Sequence, residues 1–130
     1  ERRDGVDRVM TGVLDFPGGV LARFETSIAN TERHRLEVAG TLAHLVVEDP
    51  WVPGTGDVTI LIRRRGQLDE VVPVEGANTW VLQFEHFARL VNEGLRPQWP
   101  VEDAVSNLCV LDALASSARQ GRVVAVDRSL

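Results

Sequence analysis

The chain contains no lysine and no tyrosine, so every fixed positive charge is an arginine. That absence removes Schiff-base chemistry and any lysine or tyrosine proton donor from these residues. There is one cysteine, Cys109, which excludes an internal disulfide and leaves too few soft ligands for a zinc site. Cys109 falls in an apolar, helix-patterned stretch and reads as a buried structural thiol. His34, His44 and His86 are scattered, without the spacing that puts two imidazoles on one helix face, so no metal site is expected. The longest uncharged apolar runs, such as Leu42–Val47, fall far short of the roughly 20 residues that span a bilayer. No signal-peptide pattern opens the chain, and a cytoplasmic protein with no membrane partner is expected. A net charge of −5 argues against a nucleic-acid partner, which requires clustered positive charge. The run Arg63-Arg64-Arg65 precedes Gly66 between two strand-like segments and reads as a solvated hairpin end.

What remains is an ordinary globular composition. Hydrophobic residues at 44% and charged residues at 25% of a 130-residue chain are enough for one core, so a single domain over residues 1–130 is expected. Val6 to Phe16 alternates with apolar groups on both faces, and Pro17-Gly18-Gly19 supplies a turn. The strand Val20 to Ile28 follows, completing a hairpin. Arg35–Ala39 and Leu42–Glu48 predict a second hairpin, broken at Gly40-Thr41. Asp49 to Gly56 holds two prolines and two glycines around Trp51 and predicts an exposed loop. Asp57–Ile62 and Leu68–Val74 predict a third hairpin.

The period changes near Asn78. Trp80 or Val81, Phe84, Phe87, Ala88 and Val91 recur at three- and four-residue steps and close at Gly94, predicting an amphipathic helix capped by Asn78 or Thr79. After a proline-containing connection, Val101, Ala104, Val105, Leu108, Leu111, Ala115 and Ala118 predict a second helix ending at Gly121. A short final strand is expected from Arg122 to Val126. The fold class is α+β: a mostly antiparallel sheet of hairpins with two C-terminal helices packed on one face.

Four segments carry a resemblance to a known family. They are Thr11-Gly12-Val13-Leu14-Asp15-Phe16-Pro17-Gly18-Gly19-Val20, Leu36-Glu37-Val38-Ala39-Gly40-Thr41, Phe84-Glu85-His86-Phe87 with Val91-Asn92-Glu93-Gly94, and Pro100-Val101-Glu102-Asp103-Ala104 through Ser117-Ala118-Arg119-Gln120-Gly121-Arg122. In this order they resemble the C-terminal domain of the Gfo/Idh/MocA oxidoreductases, named for glucose-fructose oxidoreductase and inositol dehydrogenase. Pro50-Trp51 leans toward the subgroup that includes dihydrodiol and xylose dehydrogenases. The resemblance implies an NAD- or NADP-dependent dehydrogenase of a sugar, polyol or diol. It also implies an N-terminal Rossmann domain that binds the dinucleotide behind a G-x-G-x-x-G turn.

The family's proton-transfer lysine and its aspartate, paired with a histidine or tyrosine, precede the first long strand of this domain. No catalytic residue is therefore carried over. The chain begins at Glu1 close to its first strand and reads as a fragment, expected to be inactive and to hold no cofactor by itself. The glycine pairs Gly18-Gly19 and Gly54-x-Gly56 sit in a turn and a loop and are not expected to cradle phosphate.

The substrate-side candidates are Trp51, Trp80, Asn78 and His86. A large aromatic in a proline- and glycine-rich loop covers something, so Trp51 is expected to contact substrate or a neighbouring subunit. In proteins resembling this one, that loop and the segment entering the first helix approach the nicotinamide-facing pocket, which brings in Trp80. Asn78 serves as a helix cap or a substrate ligand, and His86, bordering the apolar stripe, as a packing or hydrogen-bonding residue or a substrate contact. Arg33 and Arg35 could anchor a polyol or a partner chain. The exposed face of such a sheet commonly pairs subunits, and a homo-oligomer is expected. Two rivals stand beside this reading: a non-catalytic oligomerisation or ligand-binding module, and a hydrolase or isomerase working through acid pairs, for which no desolvated pair is evident.

Overall fold

The computed structural model describes residues 2–3 and 5–127, with the side chains of residues 2 and 3 set aside. The chain divides into two compact units. One takes the chain up to Asn30 and again from Arg96 onward; the other runs from Thr31 to Leu95.

In the first unit, β1 (Arg2–Arg3) pairs antiparallel with β2 (Val6–Asp7). β3 (Val9–Phe16) then pairs with β4 (Val20–Ser27) in full register, from Val9 opposite Ser27 to Phe16 opposite Val20. The expected long first strand is thus interrupted at Arg8, and Gly18 and Gly19, both at positive φ, make the turn. α2 (Val101–Gln120) closes on Gly121 in the left-handed conformation, whose amide donates to the Ser117 carbonyl. The helix lies over β3: a Cβ added at Gly12 would stand 3.3 Å from a Leu114 methyl and 2.5 Å from the Phe24 ring. A side chain at this position would have to displace the Phe24 ring.

The expected strand from Arg122 to Val126 does not form. Those residues have no ladder partner among the described residues, and a strand exists only where a neighbouring backbone completes its hydrogen bonds. Beyond the helix, the Ser117 hydroxyl donates to the Arg122 carbonyl at 2.7 Å.

The second unit is a four-stranded antiparallel sheet in the order β5 (Arg35–Ala39), β6 (His44–Glu48), β7 (Val58–Arg63), β8 (Glu70–Val74), followed by α1 (Thr79–Glu93). Directly opposed residues share a face. The pairings therefore put Leu36, Val38, Leu45, Val47, Ile60, Ile62 and Val72 together on one face. The other face carries Val46 and Leu61 among Arg35, Glu37, His44 and Glu48. Val46 is buried, the central residue of the sheet.

The observed architecture agrees with the α+β class read from the alternating periods, with the helices after the strands.

Candidate functional site

The loop that follows β6 is held at both ends within the second unit. At its start, the Asp49 amide donates to the His34 carbonyl at 3.2 Å. Asp49 sits at φ 50, a left-handed conformation that aspartate tolerates better than most side chains, and this turns the chain out of the strand toward Trp51. At its end, Asp57 Oδ1 accepts the Gly76 amide hydrogen at 2.9 Å. The loop backbone at Thr55 and Gly56 lies so close to Gly76 that a Cβ there would collide with it. Gly76 stands two residues before the cap of α1, so the Trp51 loop is fastened to the segment that enters the helix.

Asn78 makes that entry. Its Oδ1 accepts from the amides of Trp80 at 3.1 Å and Val81 at 3.2 Å, satisfying two donors that an α-helix leaves open at its start. The amide side chain is thus engaged as a cap, the first of its two expected roles. Trp80 follows on the first turn with 69% of its surface exposed, and Trp51 is 63% exposed. Both indoles are exposed to solvent. His86 is two turns further along α1, and its Nδ1 lies 3.3 Å from an Arg89 guanidinium nitrogen. Because arginine only donates, Nδ1 is the acceptor. Trp51, Asn78 and Trp80 are therefore linked through one piece of backbone, while His86 is engaged with its own helix.

Arg35, a candidate anchor, is already committed: its Nε lies 2.6 Å from Glu37 and its Nη1 3.2 Å from Glu48, with His44 also 3.4 Å from Glu37. The basic run is likewise paired across its turn, Arg63 with Asp69 at 3.1 Å and Arg64 with Glu70 at 2.5 Å. Two of its three charges are thus countered within the hairpin.

The scattered histidine spacing assigns His34 no site, yet its ring meets the Trp51 ring edge-on, with centroids 6.2 Å apart and planes at 88°. The clue lay in register. Arg35 opposes Glu48, so the next rung outward is His34 with Asp49.

In the first unit, a cleft of ≈ 380 Å³ is lined by Asp7, Val9, Met10, Thr11, Ala115, Ala118 and Arg119. None of the four candidates borders it. The docked loop and helix entry are the stronger site, because a glycine-dependent close approach there fastens the loop that carries Trp51 to the segment that enters the Trp80 helix.

The described residues do not fit a dinucleotide's pyrophosphate, which needs helix-terminal amides free of competing groups. The first amides of α1 are occupied by Asn78, and α2 opens with Glu102 and Asp103, whose charges repel phosphate. No group of three or more histidine, cysteine, aspartate or glutamate side chains suited to a metal occurs among the described residues. No helix among them is long and apolar enough to cross a membrane.

Hairpins followed by two helices define an α+β fold of the kind that closes a larger chain's C-terminal half. Comparison with known proteins specifies which one. Residues 3–126 match the C-terminal alpha/beta domain of the Gfo/Idh/MocA oxidoreductase family, and the chain belongs to that family. It is 29% identical over 122 residues to an uncharacterized oxidoreductase of Rhizobium meliloti, covering 90% of this chain and 36% of the relative. It is also 29% identical over 124 residues to D-xylose 1-dehydrogenase (NADP(+)) 2 of Haloferax volcanii, covering 95% of this chain and 38% of the relative. The chain thus spans little more than a third of the length of these relatives.

Proposed function

We propose that this chain is the substrate-side domain of a nicotinamide-dependent dehydrogenase acting on a sugar, polyol or diol. The observation that carries the reading is the fastening of the Trp51 loop to the entry of α1, in a domain of an oxidoreductase family. The likeness to a xylose dehydrogenase supports a sugar substrate, and that relative's printed cofactor supports NADP over NAD.

In this reading the dinucleotide is held by an N-terminal Rossmann domain, and hydride and proton transfer belong to residues outside this chain. The 130 residues act together as one domain, without turnover or cofactor binding of their own. Trp51 and Trp80 supply apolar ring faces against which the C–H face of a sugar packs while its hydroxyls remain available to polar groups. Asn78 shapes the pocket by fixing the helix entry, and His86 borders it. The sheet supports a second role, pairing subunits: Leu36 and Val38 on its apolar face are 42% and 50% exposed, a face that a second copy would cover. A soluble, cytoplasmic enzyme is the setting we propose.

The test is turnover by the complete gene product. Aldoses, polyols and diols should reduce NADP or NAD, seen as the near-ultraviolet absorbance of the reduced nicotinamide. Trp51→Ala should raise KM more than it lowers kcat. Absence of nicotinamide-linked turnover across that panel would overturn the reading, as would saturable micromolar NADPH binding to the 130-residue chain alone.

A further inference from the structure

His34 occupies an arrangement that its place in the sequence does not announce. It is the residue before β5, held to the end of β6 by the bond from the Asp49 amide to its carbonyl. Its side chain is 27% exposed, less than that of any of its acidic neighbours. Nε2 lies 3.5 Å from Glu32 Oε1, and Nδ1 lies 3.6 Å from Asp49 Oδ1. The ring is therefore flanked by a carboxylate at each nitrogen, and the Trp51 indole meets it edge-on at 6.2 Å.

We propose that His34 is the positioning residue of Trp51, holding the indole in place through a proton-dependent bridge between Glu32 and Asp49. A protonated ring carries a hydrogen on both nitrogens and attracts both carboxylates, whereas a neutral ring has one hydrogen to offer and one carboxylate is released. Asp49 is the residue whose left-handed backbone sets the departure of the loop, so drawing its carboxylate to the ring also fixes the direction in which Trp51 leaves the sheet. The carboxylates within 4 Å of the imidazole nitrogens are those of Glu32 and Asp49. Arg35, next in the chain, is turned to Glu37 and Glu48, which keeps Glu48 from acting as a third carboxylate at the ring.

This inference deepens the reading of Trp51 as a wall of the substrate pocket and rests on it for its functional meaning. The indole–imidazole coupling can be measured separately. Replacing Trp80 and Trp99 by phenylalanine leaves Trp51 as the sole indole of these 130 residues, on which the measurement is made. Because a protonated imidazole quenches an indole that it touches, fluorescence of that variant should fall as the medium is acidified. Adding His34→Gln should abolish the response and shift the emission. Glu32→Gln, which leaves both rings in place, should shrink the response and guards against a folding defect in the His34 variant.

An emission spectrum and pH response unchanged by His34→Gln would overturn the proposal. In the complete enzyme, His34→Gln and Trp51→Phe should raise KM by similar factors, with His34→Gln leaving kcat within about twofold and altering the pH profile of kcat/KM. If the fluorescence coupling is present but KM does not move, His34 still positions Trp51, and it is the pocket-wall reading that fails.

Discussion

Asp57 and Gly76, nineteen residues apart, are joined by a hydrogen bond of 2.9 Å from the glycine amide to the aspartate carboxylate. The bond forms beside a backbone approach that leaves no room for a side chain at Gly76. Together they tie the end of the Trp51 loop to the start of α1. Gly76→Ala should therefore lower stability by about 1–3 kcal/mol, because backbone must move to admit the methyl group. Asp57→Ala should cost about 1 kcal/mol through the lost hydrogen bond. Chemical denaturation of each variant checks both values. A midpoint for Gly76→Ala equal to that of the parent would show that the loop is not docked.

The cap of α1 gives a second expectation. Asn78→Ala leaves the Trp80 and Val81 amides without their side-chain acceptor and should destabilise by about 1 kcal/mol, whereas Asn78→Asp, which keeps an acceptor in place, should retain the parent midpoint. Thermal melts followed by circular dichroism distinguish the two. Equal loss in both variants would mean that the amide nitrogen of Asn78, and not its oxygen, carries the role.

A third expectation concerns Gly12. A methyl group there meets the Phe24 ring at 2.5 Å and a Leu114 methyl at 3.3 Å. Gly12→Ala should destabilise by about 1–3 kcal/mol, and the loss should shrink when Phe24→Leu is introduced with it, since the shorter side chain vacates the contested space. A double-mutant cycle in urea measures the coupling. Strict additivity would show that the helix and hairpin do not meet at that point.

Much of the second unit was legible in the residue order. The alternation in Arg35–Ala39 and the break at Gly40-Thr41 place β5 and β6 to within two residues, because period-two patterning and glycine act locally. The same is true of α1, whose cap and terminal Gly94 were both marked by residue type. Arg122 to Val126 was not legible: an extended, apolar composition permits a strand, but only a neighbouring edge makes one. His34 was not legible either. A histidine among charged residues carries no sign of its partners until strand register brings Asp49 opposite it and the loop brings Trp51 round.

The residue order by itself determined most of the segments that extend or coil, and that no lysine or tyrosine serves as a proton donor here. Those properties depend on backbone preference and side-chain chemistry within a few neighbours. Only the tertiary structure decided that Gly76 must lack a side chain, that Arg35 is spoken for by two glutamates, and that an imidazole lies between two carboxylates against an indole. Each of these includes a meeting of groups separated along the chain, and such meetings depend on strand register and loop closure, which local pattern does not encode.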